Sequence, residues 1–166
     1  MPGGCMKKKQ LVIFIYVFLL LLTIAFPSTA QLATKKALTL EAAKKLAALA
    51  ESEATKNKWT MVIVIVDDGG NVMYLERMDN TQIGSIEVAT QKAKTAISFK
   101  RPTKSFEERA LAGRNVLLAL PGVVPIEGGL PIVVDGQYLG AIGVSGGASD
   151  QDGAVAKAAL DAFLPK

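Results

Sequence analysis

Histidine is absent from all 166 residues of this sequence, and this absence restricts its chemistry more than any other feature. Histidine is the commonest metal ligand, the usual general base near neutral pH and the usual proximal ligand of haem iron. A serine nucleophile also needs an adjacent base, which histidine most often supplies. Any metal, haem or acid–base chemistry in this chain must therefore use other side chains.

Cysteine and aromatic residues are also scarce. The one cysteine, Cys5, cannot form an intramolecular disulfide, and it lies ahead of an apolar run, where it cannot be a lipoprotein anchor. Aromatic residues make up 6% of the chain, and no basic patch is interleaved with them. The composition therefore argues against a disulfide framework and against nucleic acid as a partner.

Residues 1–30 have the pattern of a signal peptide. Lysines at residues 7–9 precede an uncharged run at residues 11–26, and the small residues Ser28 and Ala30 follow. The run of 16 residues is shorter than the roughly 20 that a membrane-spanning helix needs. We therefore predict cleavage before Gln31 and a periplasmic or secreted protein that meets the membrane only transiently, with a retained anchor as the alternative. Cleavage removes three of the 19 basic residues and none of the 15 acidic ones, leaving a net charge of +1.

The remainder predicts a short lead at residues 31–37 and a single domain at residues 38–166. Thr39 is a favourable N-cap for a helix whose apolar residues recur at helical spacing to about Lys56. Ser85 and Ser149 are predicted to cap two later helices, the second of them through a capping box with Asp152.

Two β-hairpins and one further strand are predicted between the helices. Asp135 and Gly136 tolerate positive φ and separate two apolar runs, which is a strong hairpin signal. Consecutive hairpins imply an antiparallel sheet, and amphipathic helices on both faces must cover it, which gives an α/β fold of the α+β kind. The five predicted strands lie at residues 59–66, 72–78, 123–126, 130–134 and 138–144.

Glycine clusters on either side of the second hairpin are the first candidate for a binding site. Gly128 and Gly129 precede the hairpin, and Ser145, Gly146 and Gly147 follow it, just before the last helix. Backbone amides in such turns can hold a carboxylate or another anion, and a serine hydroxyl can contribute. The alternative is that these glycines only form tight turns.

Four charged residues are candidates for ligand contacts or proton transfer. Arg77 and Asp79 end the first hairpin, where a guanidinium can bind a carboxylate and where a surface ion pair or turn cap is the alternative. Lys92 is either an anchor for an anion or part of a solvated helix face. Glu127 is the best-placed catalytic candidate, with an exposed loop acid as the alternative. No carboxylate cluster predicts a metal site.

Short motifs occur in order along residues 38–163: VIVD at 64–67, GN at 70–71, RMD at 77–79, QKAKTA at 91–96, GGLPI at 128–132, DG at 135–136, GAIGVSGG at 140–147 and QD at 151–152. Together they resemble the GlcG/HbpS family, whose domain is described as haem-degrading or haem-binding. The resemblance implies a profilin-like fold with a five-stranded antiparallel sheet, and homo-oligomers that are often octamers. Family members include exported proteins, proteins encoded with glycolate-use genes and domains attached to corrinoid adenosyltransferases.

The resemblance implies haem as a candidate cofactor, but the sequence departs from the haem-binding members because it has no histidine ligand. Tyrosine and methionine are alternative axial ligands by type, although strand patterns favour core packing for most of those available. These residues are Tyr74, Tyr138, Met61, Met73 and Met78.

Taken together, these features predict an exported, oligomeric small-ligand-binding protein whose ligand is haem, another tetrapyrrole or an unidentified small molecule. An enzyme that acts on a small oxygenated organic acid, or that degrades haem, is the alternative. A structural or sensory module whose oligomer surface contacts a partner is a third hypothesis. The sequence does not decide between binding and catalysis.

Overall fold

The computed structural model of the chain describes residues 7–22 and 31–164 and divides into two units, Met1–Thr34 and Lys35–Lys166. The first unit contains helix α1 (Lys8–Leu22), which covers much of the predicted apolar run. Among the described residues, no helix has both the length and the apolar character needed to cross a membrane. The predicted cleavage region, with Ser28 and Ala30, lies outside the described residues.

The second unit combines helices with one antiparallel sheet. Its order along the chain is α2 (Leu40–Lys56), β1 (Val62–Asp67), β2 (Val72–Arg77), α3 (Gly84–Ser98), α4 (Lys104–Leu111), a 3₁₀ helix (Asn115–Ala119), β3 (Gly129–Val134), β4 (Gln137–Ser145) and α5 (Ser149–Phe163).

The sheet of this unit has four strands in the order β2-β1-β4-β3. The prediction of a fifth strand at residues 123–126 was wrong. The backbone amide of Val124 donates to the Thr95 hydroxyl at 3.0 Å instead of to a neighbouring strand. Pro125 has no amide hydrogen to donate, so this segment cannot extend the ladder. It runs beside α3 as a loop.

Helices cover both faces of the sheet, as predicted, and the central strand β1 shows why. Ile63 and Ile65 pack into one cluster with the apolar faces of α2 and α5. Val62, Val64 and Val66 point to the opposite face and pack with alanines of α3. Alternate side chains of a strand point to opposite faces, so a continuous apolar strand requires helices on both.

The predicted turns and caps had mixed outcomes. The Thr39 hydroxyl accepts the Ala42 amide at 3.1 Å, which confirms the cap of α2. Asp135 and Gly136 have φ of 49° and 74°, which confirms the hairpin turn between β3 and β4. Ser85 does not cap α3, because its side chain is buried beneath the first turn.

The start of α5 also differs from its prediction. The helix begins at Ser149, and the Gln151 side chain accepts the amide of Ala148 at 3.0 Å. Gln151 therefore supplies the side-chain half of the capping interaction. The Asp152 carboxylate points inward and has a different role, described below.

Close contact between α3 and β4 depends on Gly143. A Cβ atom at this position would lie 2.0 Å from the Ala89 carbonyl oxygen and 2.7 Å from the Ala93 amide nitrogen. Both atoms belong to the helix backbone, so they cannot rotate away as a side chain would. The helix lies directly on the strand because neither surface has a large side chain there.

We predict that Gly143→Ala lowers the free energy of unfolding by about 1–3 kcal/mol, because α3 must move off the sheet. Urea unfolding followed through the fluorescence of Trp59, the single tryptophan, measures this change. Gly84→Ala is the matched control, because a Cβ there meets nothing within 4 Å. An unfolding midpoint for Gly143→Ala equal to that of the unmodified chain would contradict the prediction.

Candidate functional site

The strand register brings most of the predicted site residues to one end of the sheet. Val62 pairs with Arg77 on one side and with Ser145 on the other, while Gly129 pairs with Gly143. The start of β1 and β3 and the end of β2 and β4 therefore meet at this end. Gly129 begins β3 directly after Gly128, and Gly146 and Gly147 directly follow the end of β4.

A buried ion pair lies beneath this end of the sheet. Lys92 and Asp152 are 1% and 2% exposed, and the Lys92 ammonium donates to the Asp152 carboxylate at 2.6 Å. The same ammonium donates to the carbonyl oxygen of Val144 at 3.1 Å. Both interpretations of Lys92 from the sequence, a solvated face and an anchor for an external anion, are replaced by an internal partner.

The turn that contains Gly146 and Gly147 also serves this ion pair. The second carboxylate oxygen of Asp152 accepts the Gly147 amide at 3.0 Å. Burial raises the pKa of the Asp152 carboxyl above its ordinary value, while the Lys92 ammonium and the amides of the turn oppose that rise. The predicted anion-binding turn therefore binds a carboxylate of the chain itself.

Gly128 and Gly129 pack against the same pair without space for side chains. At Gly128, where φ is 126°, a Cβ would lie 2.5 Å from the Val144 carbonyl oxygen and 2.9 Å from the Lys92 nitrogen. At Gly129 it would lie 2.3 Å from the Lys92 carbonyl oxygen. The Gly129 amide donates to the Thr103 hydroxyl at 2.9 Å, which holds β3 to the start of α4. The two glycines therefore form a thin layer over the pair.

A pocket of about 340 Å³ opens on the outer side of this layer. We call it the glycine pocket, because three glycines form much of its wall and two lysines stand beside them. Three predicted site residues, Glu127, Gly128 and Gly129, meet here. The other lining residues, which the sequence analysis did not identify as site residues, are Pro102, Lys104, Leu130, Gly153 and Lys157.

Glu127 is held in one position within the pocket. Its carboxylate accepts the Lys104 ammonium at 2.9 Å, and its amide donates to Glu107 at 2.7 Å. A Cβ on Gly153 would lie 2.3 Å from a Glu127 carboxylate oxygen, so a glycine in α5 makes room for this side chain. The hydrogen bond to Glu127 raises the pKa of the Lys104 amine, which keeps it charged.

The remaining predicted site residues lie outside the glycine pocket. Arg77 and Asp79 are exposed at the end of the edge strand β2, and Arg77 donates to the carbonyl oxygen of Thr81 at 3.3 Å. Two strands separate β2 from β3. Ser145 is buried, and its hydroxyl contacts that of Ser85 at 3.3 Å. The structure therefore does not bring these residues together with Glu127.

The buried position of Lys92 had a signal in the sequence, whereas the pocket lysines that the sequence analysis missed had none. Lys92 lies at helical spacing from Ala89 and Ala96, which marks it as part of the buried stripe of α3. A lysine on such a stripe requires a buried anion, and Asp152 supplies it. Lys104 and Lys157 belong to polar helix faces, where lysine carries no information about a pocket.

We predict that Lys92→Met lowers the free energy of unfolding by about 3–5 kcal/mol near neutral pH, because it leaves a buried carboxylate without its cation. Loss of the Lys92 ammonium, which lowers the Asp152 pKa, leaves that pKa higher in the folded variant than in the folded unmodified chain. The folded variant therefore binds more protons, so the deficit should grow as pH rises above the Asp152 pKa of the unmodified chain, which burial already holds above the ordinary value of about 3.9. Chemical denaturation at a series of pH values measures this dependence.

Two further variants control this experiment. Lys94→Met changes a half-buried lysine two residues along the same helix and should alter stability by less than about 0.5 kcal/mol. The double variant Lys92→Met, Asp152→Asn removes both charges and should recover part of the loss. A stability deficit in Lys92→Met that does not change with pH would contradict the assigned ion pair.

The chain is similar to known proteins over most of its second unit. Residues 38–161 match the family model described as haem-degrading protein HbpS-like. Protein GlcG of Escherichia coli K12 is 41% identical over 112 residues, which cover 68% of this chain and 84% of that protein.

Solved structures show the same fold. A double mutant of HbpS from Streptomyces reticuli is 33% identical, with a TM-score of 0.74 over 85% of this chain and 99% of its own. A PduOC–heme complex is 30% identical, with a TM-score of 0.71 over 78% of this chain and 96% of its own. By its sequence, its fold and the extent of both matches, this chain belongs to the HbpS-like family, which includes GlcG.

Proposed function

We propose that this chain is an exported, oligomeric protein that binds a small organic ligand through a carboxylate group in the glycine pocket. The observation that carries the proposal is the arrangement of Lys104 and Lys157 beside a wall to which three glycines contribute. Lysine ammonium groups attract the carboxylate, and the glycines let the ligand approach the backbone closely.

Both lysines are available to an incoming anion. Lys157 pairs with Asp161 one helical turn away, and both side chains are more than 60% exposed, at 69% and 64%. Such pairs contribute only about 0.3–0.5 kcal/mol, so a ligand can replace them at little cost. Lys104 is 53% exposed while it contacts Glu127, so one side of its ammonium faces solvent.

The side chains that line the glycine pocket do not fit the axial coordination of haem iron. Tyrosine and methionine, the axial ligand types that remain without histidine, do not line it. Met61 is fully buried, and the Tyr74 hydroxyl donates to Glu76 at 3.0 Å. Met73 and Met78 pack against the core, and Tyr138 lies at the other end of the sheet. The lining of the glycine pocket therefore offers no axial ligand of these types to haem iron.

Both candidate ligand classes, haem and small oxygenated acids, carry a carboxylate group. One relative was solved as a heme complex, and haem carries two propionate groups. The small oxygenated acids of the alternative hypothesis carry the same group. Recognition by lysine requires no metal ligand, so both remain consistent with a chain that lacks histidine.

Assembly and export are supported by separate features. Leu111, Val116 and Leu118 are 82%, 65% and 61% exposed on α4 and the 3₁₀ helix, and we call these three apolar side chains the assembly patch. A second copy of the chain is the partner we propose for it. The basic residues and apolar run at the N-terminus support export.

We predict saturable binding of glycolate or hemin to the full chain, measured by calorimetry for glycolate and by the Soret band for hemin. Lys104→Gln should weaken that binding about fivefold, which corresponds to the loss of one exposed charge contact. Gly153→Ala should also weaken it, because the new methyl group displaces Glu127.

Binding of glycolate or of hemin shows which of the two ligand classes supplies the carboxylate. Lys44→Gln on the exposed face of α2 removes the same charge elsewhere and should leave affinity unchanged. Failure of both probes to bind, or equal affinity in the unmodified chain and in Lys104→Gln, would refute the proposed site.

We predict that a bacterial host expressing the full sequence exports a protein that begins near Gln31 and assembles into a homo-oligomer. Native mass spectrometry of the exported fraction measures the mass of the mature chain, which gives its N-terminus, and the number of copies in the assembly. Leu118→Glu should dissociate the assembly, because it places a charge in the apolar patch. Leu40→Glu makes the same change at a 50% exposed leucine outside the patch and should leave it intact. An N-terminus ahead of Leu11 would contradict cleavage, and a monomer would contradict assembly.

A further inference from the structure

A second cleft of about 340 Å³ lies at the opposite end of the sheet, by the turns of both hairpins. Lys35, Lys36 and Lys100 contribute ammonium groups to it, and Ile97 and Tyr138 provide an apolar wall. Its lining shares no residue with the glycine pocket. We call it the lysine cleft.

We propose that the lysine cleft is a binding site for a small dianion, such as a phosphate group or a dicarboxylate. This inference does not depend on the function proposed for the glycine pocket. It rests on three lysines that the fold collects from segments distant in sequence, and on the weakness of the contacts that they make at present.

Lys100 has the most defined position of the three. It follows the end of α3 with φ of 51°, a left-handed conformation that is uncommon for lysine. The Tyr138 hydroxyl donates to its carbonyl oxygen at 3.3 Å, and its ammonium lies 5.3 Å from the centre of the Tyr138 ring. In residues 31–164, its ammonium is in none of the ion pairs with carboxylates. The ring therefore orients a cation that has no anion of its own.

The other two lysines are held beside the hairpin turns by exposed contacts. Lys35 pairs with Asp68 and Lys36 pairs with Asp135. The Lys36 amide also donates to the Gln137 side chain at 3.0 Å, which fixes this segment against the second hairpin. The backbone is thus anchored independently of the ammonium groups. Exposed ion pairs contribute little, so a ligand can take over these ammonium groups while the cleft keeps its shape.

The charge balance favours a ligand with two negative charges. Asp68 and Asp135 partner Lys35 and Lys36, so one of the three lysines, Lys100, has no carboxylate partner among the described residues. A singly charged ligand gains little over the aspartate that it displaces. A dianion can contact Lys100 and a second lysine at once, and its attraction to each adds to the total.

Titration calorimetry of the full chain at low ionic strength tests the proposal with inorganic phosphate and malonate, and with acetate as a singly charged control. At least one dianion should bind more tightly than acetate, by about fivefold or more for one additional charge contact. Lys100→Gln and Lys36→Gln should each weaken that binding about fivefold. Added sodium chloride should weaken it further, because salt screens exposed charges.

Two control variants separate this site from the rest of the surface. Lys44→Gln should leave dianion affinity unchanged, and Lys104→Gln reports on any binding of the same anions in the glycine pocket. The proposal is overturned if neither dianion binds more tightly than acetate, or if Lys44→Gln weakens binding as much as Lys100→Gln does. It is also overturned if only Lys104→Gln weakens binding, a result that would place the anion in the glycine pocket and leave the proposed function standing.

Discussion

The buried pair of Lys92 and Asp152 is the interaction on which this end of the molecule depends. It joins α3 to α5, and through the Val144 carbonyl it also joins them to β4. Neither charge can be buried alone without a large loss of stability, so the three elements must meet in one arrangement. The Gly147 amide donates a hydrogen bond to the other carboxylate oxygen of Asp152, and this bond fixes the turn that leads into α5.

The glycines follow from the space that this pair occupies. At Gly128 a side chain would meet the Lys92 nitrogen, and at Gly129 it would meet the Lys92 carbonyl oxygen. The same glycines leave the outer surface open as a pocket. A structural requirement and a binding surface therefore share residues, which is why spacing alone could not separate turn formation from ligand binding in the sequence.

Local signals predicted the fold well where the interactions themselves were local. The Thr39 hydroxyl accepts an amide only three residues away, and Asp135 and Gly136 adopt the positive φ values of their turn. The prediction of a fifth strand was wrong because the amide of Val124 donates to a hydroxyl 29 residues earlier. Lys92 was misjudged because its partner lies 60 residues later. Such distant pairings leave no local signal in the sequence, so the glycines of the pocket were predicted and Lys104 and Lys157 were not.

The absence of histidine gives both ends of the sheet a common electrostatic property. Each pocket presents lysine ammonium groups, which attract anions. At Lys104 the contact with Glu127 raises the pKa above its ordinary value. The lysines of both pockets are exposed, so the affinity for anions at both ends should respond to ionic strength, because salt screens exposed charges.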